Sequence, residues 1–585
     1  MGTARPAPDN GGNMPSHPLA SGSGRRRFAA LRRNPVARAV LVGLFLLSAT
    51  VGLQHIAGAY AAECVVDGCS HFLSGLLVHD YVATALFRNP VAFLIDFHAH
   101  YPLINIGIWP PVYYFIEGAW ALVFGATWPS MLLLSATVVA AMALTGYLLV
   151  ARRLGQAAAL FAAAALVLSP LVQDAATQTM VDAPVAFWCL MAMVAYLRYL
   201  ETGNGRWSAL FGVLAAAALL TKGNGALLAL LPPFVVLLGR RFDLLRTAGF
   251  WAPVPIVAVL VGPWYAVTAA RSLGGPTQAL TQGQGSAGAP FAFGWEYMSR
   301  ALPFNSEVLV HALGPLIVAL ALFGFVRVCI RGRASEPLEL CAAALFAAVF
   351  LFQLLVPIAL QDRYLIPALA PLLILAASGC AALPALLGRA TRLRHVFAND
   401  DGMRRVLFAV VLLSIVPQAI DLPRLPRGGM LEAAREIWRL RLPDNPTVLI
   451  ASDTLGEQQA VADLARLDTK RPGLFAVRGT RLLGGGGYDS AQYRPRFATA
   501  AEAMAEIDRY AIPFVFVRIG GDWNHLRQIE EAIRAYPDRW QEVYRDDRHS
   551  PPIALYRIRG NDTKHADTKK LIALSAPKAL SGARD

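Results

Sequence analysis

From Ala39 the chain runs without Lys, Arg, Asp or Glu until Glu63. A run of that length predicts a helix that crosses a bilayer, since about 20 apolar residues suffice. Similar runs follow at Pro129–Ala151, Gln156–Val172, Ala183–Leu200, Ser208–Leu220, Ala226–Leu238, Ala248–Ala270, Val308–Phe325, Leu338–Leu360, Tyr364–Leu387 and Val406–Ile420. Together they predict about eleven spans. A segment at Val112–Gly125 is apolar but short. At about 1.5 Å per residue it reaches only some 21 Å, less than the roughly 30 Å hydrocarbon core, so it reads as an interfacial or re-entrant helix. A long Gly/Ala/Gln-rich loop is expected at 271–306.

After Asp421 the pattern changes. Val448–Ile450, Leu474–Val477 and Phe514–Val517 read as short buried strands, and Val543–Arg545 with Ile553–Ile558 as a final strand pair. Ala500–Tyr510 and His525–Tyr536 read as amphipathic helices. The alternation suggests a small soluble α/β domain. Gly484–Gly487 lacks the strand–GxGxxG–helix setting of a dinucleotide site and reads as a flexible loop. The expected organisation is therefore a disordered basic cytoplasmic tail (1–35), a transmembrane domain (36–420) with a large first extracytoplasmic loop (59–128), an extracytoplasmic α/β domain (421–560) and a disordered tail (561–585).

Composition agrees with this polytopic α-helical membrane protein with a C-terminal soluble α/β domain: 56% of residues are hydrophobic and 16% charged, against roughly 25% charged in soluble domains. The net charge of +14 does not point to nucleic acid. Much of the basic excess sits in the turns between apolar runs, as in Arg152-Arg153 and Arg240-Arg241, which is positive-inside topology. The cluster from Arg25 to Arg38 then puts the amino end in the cytoplasm and the first loop outside. Ala59-Tyr60-Ala61 resembles a signal-peptide cleavage site, but the many later spans favour an uncleaved anchor. Of six cysteines, Cys64 and Cys69 share the first loop and either form a small bridge or stay reduced.

Ionisable groups at the mouth of a bundle are costly and therefore informative. The non-cytoplasmic ends hold Asp67, Asp96, His98, His100, Glu117, Asp174, Asp182, Lys222, Asp362 and Arg363. For any one of them a solvated helix end is the plain reading; convergence in one cavity is the functional one. Asp67 has the chemistry of a general base. Asp182 opens an inward span, where an acidic first turn also suits the helix dipole. Arg363 and Lys222 suit a phosphate. His98 and His100 share a face only on a strand; with Asp67 they are the candidates for holding a divalent metal, and an interfacial aromatic belt is the plainer alternative.

Several ordered pieces resemble the GT-C superfamily, in its branch of protein O-mannosyltransferases and lipid A aminoarabinose transferases. These are Asp67 after the first span, Trp109-Pro110-Pro111-Val112-Tyr113-Tyr114, Phe124-Gly125, Val181-Asp182-Ala183-Pro184, Thr221-Lys222-Gly223, Pro263-Trp264-Tyr265 and Arg363-Tyr364-Leu365-Ile366-Pro367. The resemblance covers about residues 36–390. It implies a GT-C-like membrane enzyme of the cell inner membrane that moves a sugar from a polyprenyl-phosphate donor to a hydroxyl outside the cytoplasm, by inverting displacement. The acceptor class stays open among protein, lipid A and polysaccharide. Asp67 and Asp182 would then be catalytic; Arg363, Lys222, His98, His100 and Tyr364 would face substrate; a divalent metal ion is an open question. Gly68 follows Asp67 where many relatives carry Asp-Glu, and Trp109 stands where His or Lys is frequent. The alternatives are a transporter or flippase for a lipid-linked or hydrophilic envelope substrate, which predicts repeated halves and broken helices, and a non-catalytic assembly partner.

Overall fold

The computed structural model describes residues 34–65, 67–104, 109–270, 294–357, 360–390, 401–420, 429–440, 446–485, 494–520, 524–561 and 567–575, with Gly2 and Leu425. The expected tail at 1–35 lies almost wholly outside these residues, and the loop expected at 271–306 lies outside them as far as residue 293.

The first span is α1 (Pro35–Ile56), capped by the Asn34 side chain. The first loop carries α2 (Asp67–Asp80), α3 (Pro90–His100) and the short α4 (Val112–Phe124). The bundle continues with α5 (Trp128–Leu154), α6 (Gln156–Leu168), α7 (Pro170–Ala176) and α8 (Asp182–Thr202). Further on lie α9 (Trp295–Leu313), α10 (Pro315–Arg331) and α11 (Ile366–Ala390). Among the described residues seven helices are long and apolar enough to cross a bilayer, and α6 with α7, bent by 60° at their break, is apolar enough to be a broken span or a re-entrant loop. Three of the expected spans fall on shorter pieces: Gly205–Leu219, the 3-10 turn Gly223–Leu230 with Leu231–Gly239, and Asp401–Leu413 with Val416–Ile420. Glycine at 223 and 225 and the Pro232-Pro233 pair explain the second break, because both residue types disfavour a continuous helix. The expected 271–306 loop ends early, since α9 begins at Trp295.

The C-terminal region holds α12 (Met430–Arg439), α13 (Thr454–Leu467), α14 (Thr568–Ser575) and, among the described residues, seven strands. Five strands make one sheet in the order β2-β1-β5-β7-β6. They are β1 (Thr447–Ala451), β2 (Phe475–Arg478), β5 (Phe514–Arg518), β6 (Trp540–Asp546) and β7 (Ile553–Ile558). β1 pairs in parallel with β2 and β5, and β7 lies antiparallel to β5 and β6. Strands covered on both faces read as unbroken apolar runs. Val448 and Ile450 face α12, α13 and the first loop, while Leu449 and Ala451 face the helices Ala500–Arg509 and Asn524–Ala535. Two tail readings change. Gly484–Gly485 pairs with Arg494–Pro495 as β3 and β4, with residues 486–487 outside the described residues. Within the expected disordered tail, α14 is helical and buries Leu571.

The first loop and the C-terminal domain share one hydrophobic core. Phe72, Leu73, Leu76, Phe97 and Tyr101 of the loop pack with Met430, Ile450, Val461 and Phe516. Polar contacts seal the joint. Arg471 donates to both Asp80 oxygens at 2.8 and 3.1 Å, the Tyr101 hydroxyl donates to Asp468, and the His100 ring stacks on Phe475 at 3.8 Å. Cys64 and Cys69 form a disulfide.

Inside the bundle, α10 and α11 approach through Gly324 and Gly379. A Cβ at Gly324 would collide with the Leu375 carbonyl oxygen, and one at Gly379 with the Leu320 carbonyl oxygen. Small residues let backbones touch in this way. Gly324→Ala is expected to cost about 1–3 kcal/mol through overpacking, seen as a lowered melting temperature of purified protein. Gly146→Ala, with nothing within 4 Å of the new carbon, should hold or raise the melting temperature, since Ala favours a helix interior over Gly.

Candidate active site

Four charged side chains from distant stretches meet at one side of the bundle. Asp67 stands in the first turn of α2 and Asp182 in the first turn of α8. Arg363 lies in the short 3-10 turn Asp362–Leu365 before α11. Lys222 sits in extended backbone between Gly205–Leu219 and the 3-10 turn that follows. That backbone turns tightly: a Cβ on Gly225 would run into the Ala218–Leu219 backbone. The turn drops Lys222 into the interior, 2% exposed.

The geometry is specific. Arg363 Nη2 donates to Asp67 Oδ2 at 2.9 Å and Nε donates to Gln361 Oε1 at 2.7 Å. The same Nε lies 3.9 Å from Asp182 Oδ2. Lys222 Nζ donates to Asp182 Oδ1 at 2.6 Å, and both side chains are 2% exposed. The Lys222 ammonium also lies 4.4 Å from the Tyr364 ring centroid and 5.2 Å from that of Trp109, within cation–π range. Two carboxylates and two cations therefore balance. Arg363 bridges the carboxylates, whereas Lys222 is committed to Asp182 and two rings.

A cavity of about 860 Å³ opens beside this network. Asp182, Arg363 and Asp362 line it from the network side, Asp174 from α7, and Glu307 and His311 from α9. Phe304, Val308 and Leu171 supply apolar wall. The arrangement offers a fixed guanidinium to an anion, a carboxylate within its reach, and an apolar flank.

Of the residues expected here, Asp67, Asp182, Lys222, Arg363 and Tyr364 are brought together. His98 and His100 are not. They stand on helix α3, where positions two apart point in different directions. His100 lies under Phe475 of the C-terminal sheet, with its Nδ1 hydrogen-bonded to the Asp96 carbonyl at 2.8 Å. Among the described residues no three His, Cys, Asp or Glu side chains gather as metal ligands. Asp67, His98 and His100 therefore do not form one ligand set.

His71 belongs to the site and was missed. It lies one turn after Asp67 on α2, fully buried, with Nδ1 hydrogen-bonded to the Tyr114 hydroxyl at 2.9 Å and its ring edge-on to Trp109. Burial pushes its imidazole down to about 4, so it is neutral at pH 7. The i, i+4 spacing of Asp67 and His71 is the signal that would have found it.

The Asp182–Lys222 pair yields a stability test. Lys222→Met alone should cost about 3–5 kcal/mol by leaving a buried carboxylate short of a partner, lessened by Arg363 at 3.9 Å. Lys222→Met with Asp182→Asn should recover most of that loss in a thermal melt. Additive losses would show that the two groups do not interact.

Residues 109–266 match the family model described as dolichyl-phosphate-mannose-protein mannosyltransferase. No curated protein sequence matches the chain. Among solved structures, ArnT from Cupriavidus metallidurans in the apo state matches with TM-score 0.57 at 16% identity, covering 93% of this chain and 100% of that one. The same protein bound to undecaprenyl phosphate matches with TM-score 0.58 at 16% identity, covering 89% and 99%. At that identity the likeness is one of fold. The chain thus has the membrane fold of the GT-C type, and its segment from Trp109 to Ala266 carries the mannosyltransferase family's sequence pattern.

Proposed function

We propose that this protein is a membrane glycosyltransferase that moves a sugar from a polyprenyl phosphate to an acceptor hydroxyl on the extracytoplasmic side. The observation that carries the reading is Arg363 held between Asp67 and Asp182 at the wall of an open cavity. A guanidinium beside apolar wall suits a phosphate carried on a lipid. The solved ArnT structure with undecaprenyl phosphate supports that class of donor.

In this mechanism Asp67 takes the proton of the acceptor hydroxyl. The freed oxygen pair attacks the anomeric carbon, and the bond from that carbon to the phosphate oxygen breaks. Polyprenyl phosphate leaves with the bonding pair, and direct displacement inverts the anomeric centre. Arg363 stabilises the charge that grows on the leaving phosphate. As the phosphate draws the guanidinium, Asp67 loosens from it and is free to meet the acceptor hydroxyl. Lys222, packed over the Tyr364 ring, holds Asp182 in place. Protein, lipid A and polysaccharide acceptors all present the required hydroxyl, and each remains open to the same step.

Two features support the extracytoplasmic face. The Cys64–Cys69 disulfide beside Asp67 belongs to an oxidising compartment. Arg152-Arg153 closes α5 at the end away from the first loop, as a cytoplasmic end should. The bend between α6 and α7 is the feature that would favour a transporter. Pro170 at the start of α7 accounts for it locally, and a transporter has no need of a base aimed at a phosphate-binding arginine.

Asp67→Asn should lower the transfer rate by about 100-fold or more, while undecaprenyl phosphate still binds. Arg363→Gln should weaken that binding by about tenfold or more, the loss of a charge-assisted hydrogen bond. Purified protein, a radiolabelled polyprenyl-phosphate sugar and a binding titration check both. Full transfer by Asp67→Asn would remove the base assignment.

A further inference from the structure

We propose that the Cys64–Cys69 disulfide and Gln459 of the C-terminal domain act together as a clamp that positions Asp67. The inference rests on the reading of Asp67 as the base and adds what holds it. Asp67 lies inside the short ring that the disulfide closes. Both cysteines are buried in the core shared by the first loop and the C-terminal domain.

The ring is tied on three sides. From the C-terminal domain, Gln459 Nε2 on α13 donates to the Cys64 carbonyl at 3.0 Å. Immediately before the ring, Glu63 accepts from the Met430 and Leu431 amides at the start of α12. From the bundle, Thr179 Oγ1 donates to the Gly68 carbonyl at 2.8 Å, three residues before Asp182. Within the ring the Gly68 amide donates to the Val65 carbonyl at 2.9 Å, and Val65 itself lines the cavity. Cys64 before Asp67 and Gly68 after it are thus tied to different bodies, and the carboxylate meets Arg363 between them.

This gives the C-terminal domain a task in the reaction. It carries no group of the charged network, yet its α12 and α13 hold the segment that delivers the base. A base works only within hydrogen-bond reach of its proton, and a misplacement of about 1 Å can cost about 100-fold. Cys64, Cys69 and Gln459 are therefore positioning residues, not catalytic ones. Their loss should act on the rate and spare the donor phosphate, which Arg363 meets from the other side.

The test compares wild type with Cys64→Ser/Cys69→Ser and, separately, Gln459→Met, which keeps the side-chain volume and removes the donor. Three readouts are taken on full-length purified protein: hydrogen exchange at amides 67–71, undecaprenyl phosphate affinity and transfer rate. Exchange should rise about five- to tenfold in both variants. The transfer kcat should fall about 10–100-fold, with donor affinity within about twofold of wild type. Unchanged exchange and kcat in both variants would overturn the clamp. Equal losses of kcat and affinity would also overturn it, as general collapse of the site. Wild type that shows no transfer, while exchange still responds in the variants, would sink the enzymatic reading and leave the clamp standing as a structural tie on Asp67.

Discussion

The site depends on one guanidinium shared by two carboxylates. Arg363 reaches Asp67 at 2.9 Å and stands 3.9 Å from Asp182. Lys222 completes the balance at 2.6 Å from Asp182. Charges taken from water at a bundle's edge persist only if they are paired and hydrogen-bonded. The surrounding structure is arranged to meet that demand. All four residues stand at a helix start or at a break between helices, never in the middle of a span. Each break removes a stretch of regular apolar helix and delivers a charged group in its place.

The same constraint explains the outer half of the molecule. A carboxylate that opens a loop helix needs a rigid base behind it, and α2 alone is too short to supply one. The C-terminal sheet provides it. Its β1 and β5 strands, with α12 and α13, share a core with Phe72, Leu73 and Phe97 of the first loop. The Asp80–Arg471 and Tyr101–Asp468 contacts close the rim of that core. Loop and domain, which the sequence separates by some three hundred residues, behave as a single body above the bundle.

Much of this was legible in the sequence, and the parts that were not have physical reasons. Long uncharged runs and basic turns mark membrane helices whatever their packing. The β-rich apolar clusters at Val448, Leu474 and Phe514 mark strands buried on both faces. Counting which ends of the spans share a side placed Asp67, Asp182, Lys222 and Arg363 together with six other ionisable residues, His98 and His100 among them, and the family resemblance singled out the four along with those two histidines. The helical character of the first loop was hidden, because α2 is buried almost all round and shows no amphipathic stripe. That concealed His71 and left His98 and His100 open to a strand reading. The shared core was hidden as well, since contacts between residues so far apart leave no local period. Three of the expected spans fall on shorter or broken apolar helices, such as Gly205–Leu219, because length along the sequence does not show where a helix breaks.

The most direct test is a structure of the protein with undecaprenyl phosphate bound. The account predicts the phosphate in the cavity beside Asp182, with a phosphate oxygen about 2.7–2.9 Å from the Arg363 guanidinium and the Arg363–Asp67 contact lengthened. A phosphate seated elsewhere in the molecule, with Arg363 still closed on Asp67, would contradict it.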